Sequence, residues 1–413
     1  MAAMEKNNKT LNVPNLRFPE FSGEWEKCTL GSIGETFNGL TGKSAADFGS
    51  GSPYITYKSI FDNSKIDISK VEYVKITETE RVKQTQNEVE YGDIFFTTSS
   101  ETPEEVGMAS VLLSEIRDCY LNSFCFGYRL FDKCIHQPDF FRFYLRSSNL
   151  RKKIAILAQG STRFNISKNE VMKMPIFLPS LAEQRKISKI LSLIEDRIET
   201  QKKIIEKYES LIKGITDKVF HASNVDFLRS FEMLYKDAGE GGTPSTSNPQ
   251  YYENGTIPFI KIDDLSQKYL VAHKDCITQV GLRNSSAWLI PAGSVIYSNG
   301  ATIGAISINT YPVSTKQGIL GIVPNDSVCA EYLYYLMTSK YFRKQVHRII
   351  TEGTMKTAYL KDINKILCPV PNIDEQQRLA KSISSVTRKI ETEKATLDAF
   401  ILQKRYLLSH LFI

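Results

Sequence analysis

The chain has 413 residues, 42% of them apolar and 24% charged, with a formal net charge of +6. Those proportions exclude a disordered, collagen-like or fibrous chain and suggest two or three globular domains at roughly 150 residues each. No stretch approaches 18 consecutive apolar residues and the start from Met1 to Glu20 is polar, so the pattern offers neither a membrane-spanning helix nor a secretory signal, and the expected location is the cytosol with no membrane partner.

In chain order, residues 1–21 form an N-terminal segment. Residues 22–179 form a first globular domain, in which Asp93–Thr97 reads as a strand and 138–156 as helical. Residues 180–220 read as one long helix. Pro179 stops any earlier helix, Ser180 and Glu183 form a capping box, and apolar positions recur at steps of four and three from Ile187 to Val219. A second domain spans 221–371, with a strand at Ser294–Tyr297 and helical character over 330–349. A second long helix spans 372–413, opened by Asn372 and Glu375.

The two halves repeat. Pro179-Ser-Leu-Ala-Glu-Gln184 and Pro371-Asn-Ile-Asp-Glu-Gln376 lie 192 residues apart. The heptad-like positions 187, 191, 194, 198, 201, 205, 208, 212, 215 and 219 recur at the same offset, including a polar step at Gln201 and Glu393. Lys404 departs from the pattern and is expected to mark fraying or a local contact. Upstream, Phe141–Leu145 matches Tyr332–Leu336, Lys152-Lys153 matches Arg343-Lys344, Gly160-Ser161-Thr162 resembles Gly353-Thr354-Met355, Gly92–Phe95 resembles Gly293–Ile296, and Gly51–Ile55 resembles Gly255–Ile260. Between these anchors the halves diverge. The expected fold is α+β: two similar mixed α/β domains separated by two long helices that form an intramolecular antiparallel coiled coil. The seam from Ile187 to Val219 would measure about 48 Å at 1.5 Å per residue.

Motifs for catalysis are weak. Seven scattered cysteines, with no Cys-x-x-Cys, support neither a disulfide framework nor a zinc site. Asp237-Ala-Gly-Glu-Gly241 looks like a nucleotide or methyl-donor loop, but the following Gly242-Thr-Pro-Ser-Thr-Ser-Asn-Pro249 cannot open a helix. A glycine-rich recognition or structural loop is preferred there. Gly42-Lys43-Ser44 has the tail of a phosphate-binding loop, yet Phe37 stands where its first glycine belongs. The chain reads as non-catalytic.

Three features together resemble one family. They are the opening Asn12-Val-Pro-Asn-Leu-Arg-Phe-Pro-Glu-Phe21, the run Gly242-Thr-Pro-Ser245…Tyr251-Tyr252…Gly255-x-Ile257-Pro258-Phe259, and the two Pro-x-Leu/Ile-x-Glu-Gln helix starts. This layout is similar to the specificity subunit of type I restriction-modification enzymes across essentially the whole chain. The resemblance implies two target recognition domains, each reading one half of a split, asymmetric site on double-stranded DNA. It also implies a coiled coil that sets the spacer and docks two modification (methyltransferase) subunits, with restriction (translocase/nuclease) subunits joining the larger complex. No cofactor is expected in this chain. S-adenosylmethionine, ATP and Mg are expected in the partner subunits.

Candidate DNA-reading residues are polar groups on loops beside the repeated anchors. In the first half these are Thr41, Lys43, Ser44, Tyr57, Lys58, Thr97, Thr98, Ser99, Ser100, Arg163 and Asn165. In the second they are Thr243, Ser245, Lys261, Asp263, Ser298, Asn299, Lys316, Gln317 and Lys356. Arg163 and Lys316-Gln317 stand out, because such donors can bond the edges of guanine or adenine. Tyr57 fits a packed core aromatic equally well. The alternative to DNA specificity is a protein-interaction scaffold that uses the coiled coil alone.

Overall fold

The computed structural model describes residues 12–83, 86–220, 228–300, 302–350 and 356–413. Two compact units emerge: Met1–Gln201 with Thr396–Ile413, and Lys202–Ala395. The boundary passes through both long helices beside their polar steps, whereas the helix ends mark the domain limits expected from sequence. Among the described residues no helix is long and apolar enough to cross a membrane.

In the first unit a four-stranded antiparallel sheet runs in the order Gly34–Asn38, Cys125–Leu130, Ile94–Thr97, Ala109–Val111. A three-stranded sheet centres on Phe48–Ile55, antiparallel to Glu72–Val74 and parallel to Tyr120–Leu121. Glu26–Thr29 pairs with Pro175–Leu178, the strand that leads into the first long helix, Leu181–Val219. The second unit repeats this plan. Tyr235–Glu240, Ile319–Pro324, Val295–Ser298 and Ile306–Asn309 form the same four-strand order, extended by Tyr269–Leu270. Ile257–Ile260 pairs antiparallel with Asp275–Ile277 and parallel with Ser314–Thr315. Leu228–Ser230 pairs with Leu367–Pro369 before the second long helix, Ile373–His410. The glycine anchors have a shared cause. Gly92 and Gly293 take φ of +88° and +81° at the turn into the central strand, a conformation that only glycine adopts at little cost.

One expectation holds with a finer division and one is corrected. Residues 138–156 and 330–349 each form two helices, Pro138–Tyr144 with Ser148–Ile156, and Ala330–Thr338 with Lys340–Ile349. Ser147 and Ser339 break them. Both are extended at the N-cap, and the Ser339 hydroxyl accepts a bond from the Phe342 amide at 3.2 Å while donating to the Leu336 carbonyl. The segment Asp237–Gly239 is strand, paired with 321–323, and not a loop.

The long helices pack antiparallel in each unit. In the first, Ile187, Leu191 and Ile194 share the core with Leu407, Leu411 and Phe412. Glu195 takes an ion pair from Lys404 at 2.5 Å and another from the buried Arg142. The off-pattern Lys404 thus makes a specific contact rather than a frayed end. In the second unit Ile212, Ile215 and Val219 pack with Leu379, Ala380 and Ile383, and Glu209 meets Lys394 at 2.9 Å. Every seam position named from the sequence is buried or half-buried.

The repeated Glu-Gln has two different roles. The Gln184 amide oxygen accepts from the Gln137 N–H at 3.0 Å while its nitrogen donates to the Pro179 carbonyl at 2.9 Å. Gln376 accepts from the Cys329 N–H at 2.9 Å and donates to the Pro371 carbonyl at 2.8 Å and to the Ser327 carbonyl at 3.0 Å. Gln137 and Cys329 are the N-caps of the helices at Pro138 and Ala330, so the same amide ties each long helix to its domain. The capping boxes are incomplete. Ser180 and Asn372 each accept the amide three residues on, at 3.4 and 3.0 Å, but the Glu183 carboxylate turns to Arg17, with two bonds of 2.8 Å, and to the Trp25 indole. Arg17 belongs to the opening motif, whose Leu16 amide donates to the His410 carbonyl at 2.9 Å. Glu375 is exposed.

Candidate nucleic-acid interface

In both units some of the candidate residues gather at one end of the main sheet, and the same hydrogen bonds build that end. In the first unit the Asn122 amide donates to the Ile55 carbonyl at 3.0 Å, Thr98 to Phe124 at 3.1 Å, and Ile166 to Thr98 at 2.9 Å. In the second, Lys316 donates to Ile260 at 3.0 Å, Asn299 to Gly318 at 3.1 Å, and Ala358 to Asn299 at 2.9 Å. The backbone frame is duplicated while its side chains differ. Rigid strands presenting variable loops are the usual basis of a recognition surface.

At the first frame Asn165 pairs with Ser99, and Gln159 and Asn165 exchange backbone bonds of 2.8 and 2.9 Å. This closes a hairpin tip that carries Arg163. Gly160 makes the tip possible: φ is +131°, and a Cβ there would lie 2.2 Å from the Arg163 carbonyl oxygen. Arg163 and Asn165 are exposed. Tyr57 is half-buried, stacks on Phe61 at 5.8 Å, and donates to the Ser99 carbonyl at 2.6 Å. Burial raises its hydroxyl pKa, and the Arg163 charge lies close enough to oppose that shift. Lys58 is exposed beside it. Thr98 is half-buried, and its hydroxyl donates to the Phe124 carbonyl at 2.8 Å. Thr97, Ser99 and Ser100 are buried; the Thr97 hydroxyl accepts from the Met108 amide and Ser100 bonds Glu105. These three brace the frame from inside.

The loop at 41–44 is laced elsewhere. Thr41 exchanges bonds with the Gln86 side chain at 3.1 and 2.9 Å. The Lys43 side chain is only 7% exposed and meets Glu80 at 2.6 Å. That lysine, together with the Thr77 amide, holds the Glu80 carboxyl down at about 2. Lys43 is thus committed internally. Ser44 donates through amide and hydroxyl to Asp47, both at 2.8 Å, which lowers the Asp47 pKa.

At the second frame Lys316 and Gln317 are exposed, and the Gln317 amide donates to the Thr243 hydroxyl at 3.4 Å. Glu240 accepts from the Gly318 amide at 2.8 Å. Lys261 follows Ile260 and pairs with Asp275 at 2.8 Å. Lys356 is exposed two residues before Ala358. Thr243, Lys261, Lys316, Gln317 and Lys356 therefore gather at one edge. Ser298 and Asn299 lie buried beneath it, and the Asn299 amide group donates to the Ala358 carbonyl at 3.2 Å. Ser245 is exposed and bonds Ser247. Asp263 is exposed and paired with Lys274 at 2.6 Å, which lowers its pKa. Gly353–Met355, matched in sequence to the Gly160 turn, lie outside the described residues.

The sequence reading missed the turn Asn122-Ser123-Phe124, which the shared bonds make equivalent to Lys316-Gln317-Gly318. The signal was positional, since each turn directly precedes a strand, Cys125–Leu130 or Ile319–Pro324.

Comparison with known proteins fits this duplicated plan. The family model described as "Type I restriction modification DNA specificity domain" matches residues 22–210 and again 233–401. The MjaIX type I specificity subunit of Methanocaldococcus jannaschii is 32% identical over 165 residues, a match spanning 38% of each chain. The putative MjaX specificity subunit of the same organism is 26% identical over 417 residues, 94% of this chain and 92% of that one. The crystal structure of the type I S subunit from M. genitalium superposes with a TM-score of 0.57 at 16% identity, over 97% of this chain and 99% of that one. With two copies of the matched domain covering most of its length, the chain belongs to the type I restriction-modification DNA specificity family.

Proposed function

We propose that this chain selects the DNA sequence for a type I restriction-modification complex. Each domain reads one half of a bipartite, asymmetric site through the end of its main sheet. The observation that carries this reading is the duplicated frame at Thr98–Phe124 and Asn299–Gly318, identical in its backbone bonds and different in its exposed side chains. Two unlike half-sites require one scaffold and two sets of donors. Arg163, Lys58 and Asn165 serve one half-site; Lys316, Gln317, Lys261 and Lys356 serve the other. Exposed cations hold phosphates, while guanidinium and amide groups read base edges.

The long helices set the spacer and dock two modification subunits, with restriction subunits joining them. Methyl transfer and ATP-driven cleavage belong to those partners, which bind S-adenosylmethionine, ATP and Mg. The one methyl-donor-like segment of this chain supports that division: Asp237–Gly239 is strand and opens no helix.

The test is separability. In the complex with its modification subunit, Arg163→Ala is expected to cost about 1–3 kcal/mol of discrimination at one half-site only, and Gln317→Ala a similar amount at the other. Binding selection from randomised duplexes reads both. Equal losses at both half-sites from either substitution contradict the assignment.

A further inference from the structure

Phe124 is 62% exposed on the frame of the first domain, although it is a large apolar side chain. Its backbone is held on both sides. The Phe124 amide donates to the Asn122 side-chain oxygen at 2.8 Å, and its carbonyl accepts from both the Thr98 amide and hydroxyl, at 3.1 and 2.8 Å. Asn122 is itself anchored to Ile55. A backbone held this way presents the ring to solvent with no further cost in backbone ordering on binding.

The other exposed side chains of the frame, Ser123, Arg163, Asn165 and Lys58, are polar, and its further aromatics, Tyr57 and Phe164, are half-buried. One apolar group among hydrogen-bonding groups does not match the contiguous apolar centre of a protein–protein interface. It does match the major-groove face of DNA, where the thymine methyl is the one apolar feature among donors and acceptors. The second domain has Gly318 at the equivalent point, with φ of +87°, and so offers no such group.

We propose that Phe124 is a specificity-determining residue that contacts the 5-methyl group of a thymine in the half-site read by the first domain. The inference rests on the DNA-reading function proposed above.

The experiment uses the complete complex with its modification subunit and synthetic duplexes carrying its mapped site, each thymine replaced singly by uracil. Removing the methyl at one position of one half-site is expected to weaken binding about fourfold, the equivalent of one buried methyl-sized group. Phe124→Ala is expected to bind thymine and uracil equally at that position, Phe124→Leu to keep part of the preference, and the other half-site to be unaffected by either. A half-site without thymine overturns the proposal. So does a wild-type complex indifferent to every uracil, or a Phe124→Ala complex that keeps the full preference or weakens on both bases alike with the preference intact. A complex with no mapped site at all defeats the DNA-reading function itself, a distinct outcome.

Discussion

At the residue scale, the duplicated Glu-Gln pairs show how identical letters acquire different work. Gln184 and Gln376 share two bonds, to a helix N-cap amide and to the proline carbonyl before the long helix, and Gln376 adds a third to Ser327. Gln376 is fully buried, so Gln376→Ala strands the Cys329 N–H and two carbonyls, and is expected to cost about 2–3 kcal/mol in urea unfolding of the chain. Glu183 and Glu375 differ. Glu183 is 1% exposed against Arg17, whose side chain keeps 17% exposure, whereas Glu375 is exposed. Glu183→Ala is expected to cost about 2–3 kcal/mol, below the range for a fully buried pair, and Glu375→Ala under about 0.5 kcal/mol. Equal costs would contradict the asymmetry. The helix starts were legible because caps and prolines act locally. Which glutamate finds an arginine was not, because Arg17 lies 166 residues from Glu183 in sequence.

At the scale of elements, the long helices were readable from end to end, since a 3.5-residue period is a property of the sequence itself. The short strands were readable only at their glycine anchors. The break at Ser147 and Ser339 was hidden because serine caps a helix only when its backbone is extended, which the surrounding packing decides. The frame edge was half legible. Polar loop residues can be listed from sequence, but Lys43 differs from Lys316 only because Glu80 sits beside it. That pair gives a pH prediction. The Glu80 carboxyl is held at about 2 in the fold, below its ordinary value of 4.5. A depressed carboxylate contributes stability above its unfolded value and loses it as pH falls through the folded one. The contact of Lys43 with Glu80 on the helix Glu78–Lys83 is therefore expected to loosen between about pH 4.5 and 2, and Glu80→Gln to remove the part of the acid dependence that Glu80 carries, leaving that of Asp47. Amide and side-chain NMR shifts of Thr77 and Glu80 across the titration check it; an unshifted midpoint near the ordinary value contradicts it.

At the scale of the whole molecule, two copies of one domain and two copies of one helix give a chain whose fold is duplicated while its exposed side chains differ between the copies. The pairings of Glu195 with Lys404 and of Glu209 with Lys394 fix an antiparallel register within the respective units. One heptad inserted after Gln201 and another after Glu393 keeps the seam in phase. Such a double insertion is expected to lengthen the spacer of the recognised site and leave both half-sites unchanged, while insertion in one helix alone disrupts pairing. An active double variant with the original spacer would contradict the ruler. The central claim, that this chain chooses a split DNA sequence, is tested most directly by a methylation map. The chain is co-expressed with its modification subunit in a methylation-free host and the modified adenines are sequenced. The account predicts one bipartite motif with a fixed gap. A stable complex that methylates no defined motif would contradict it.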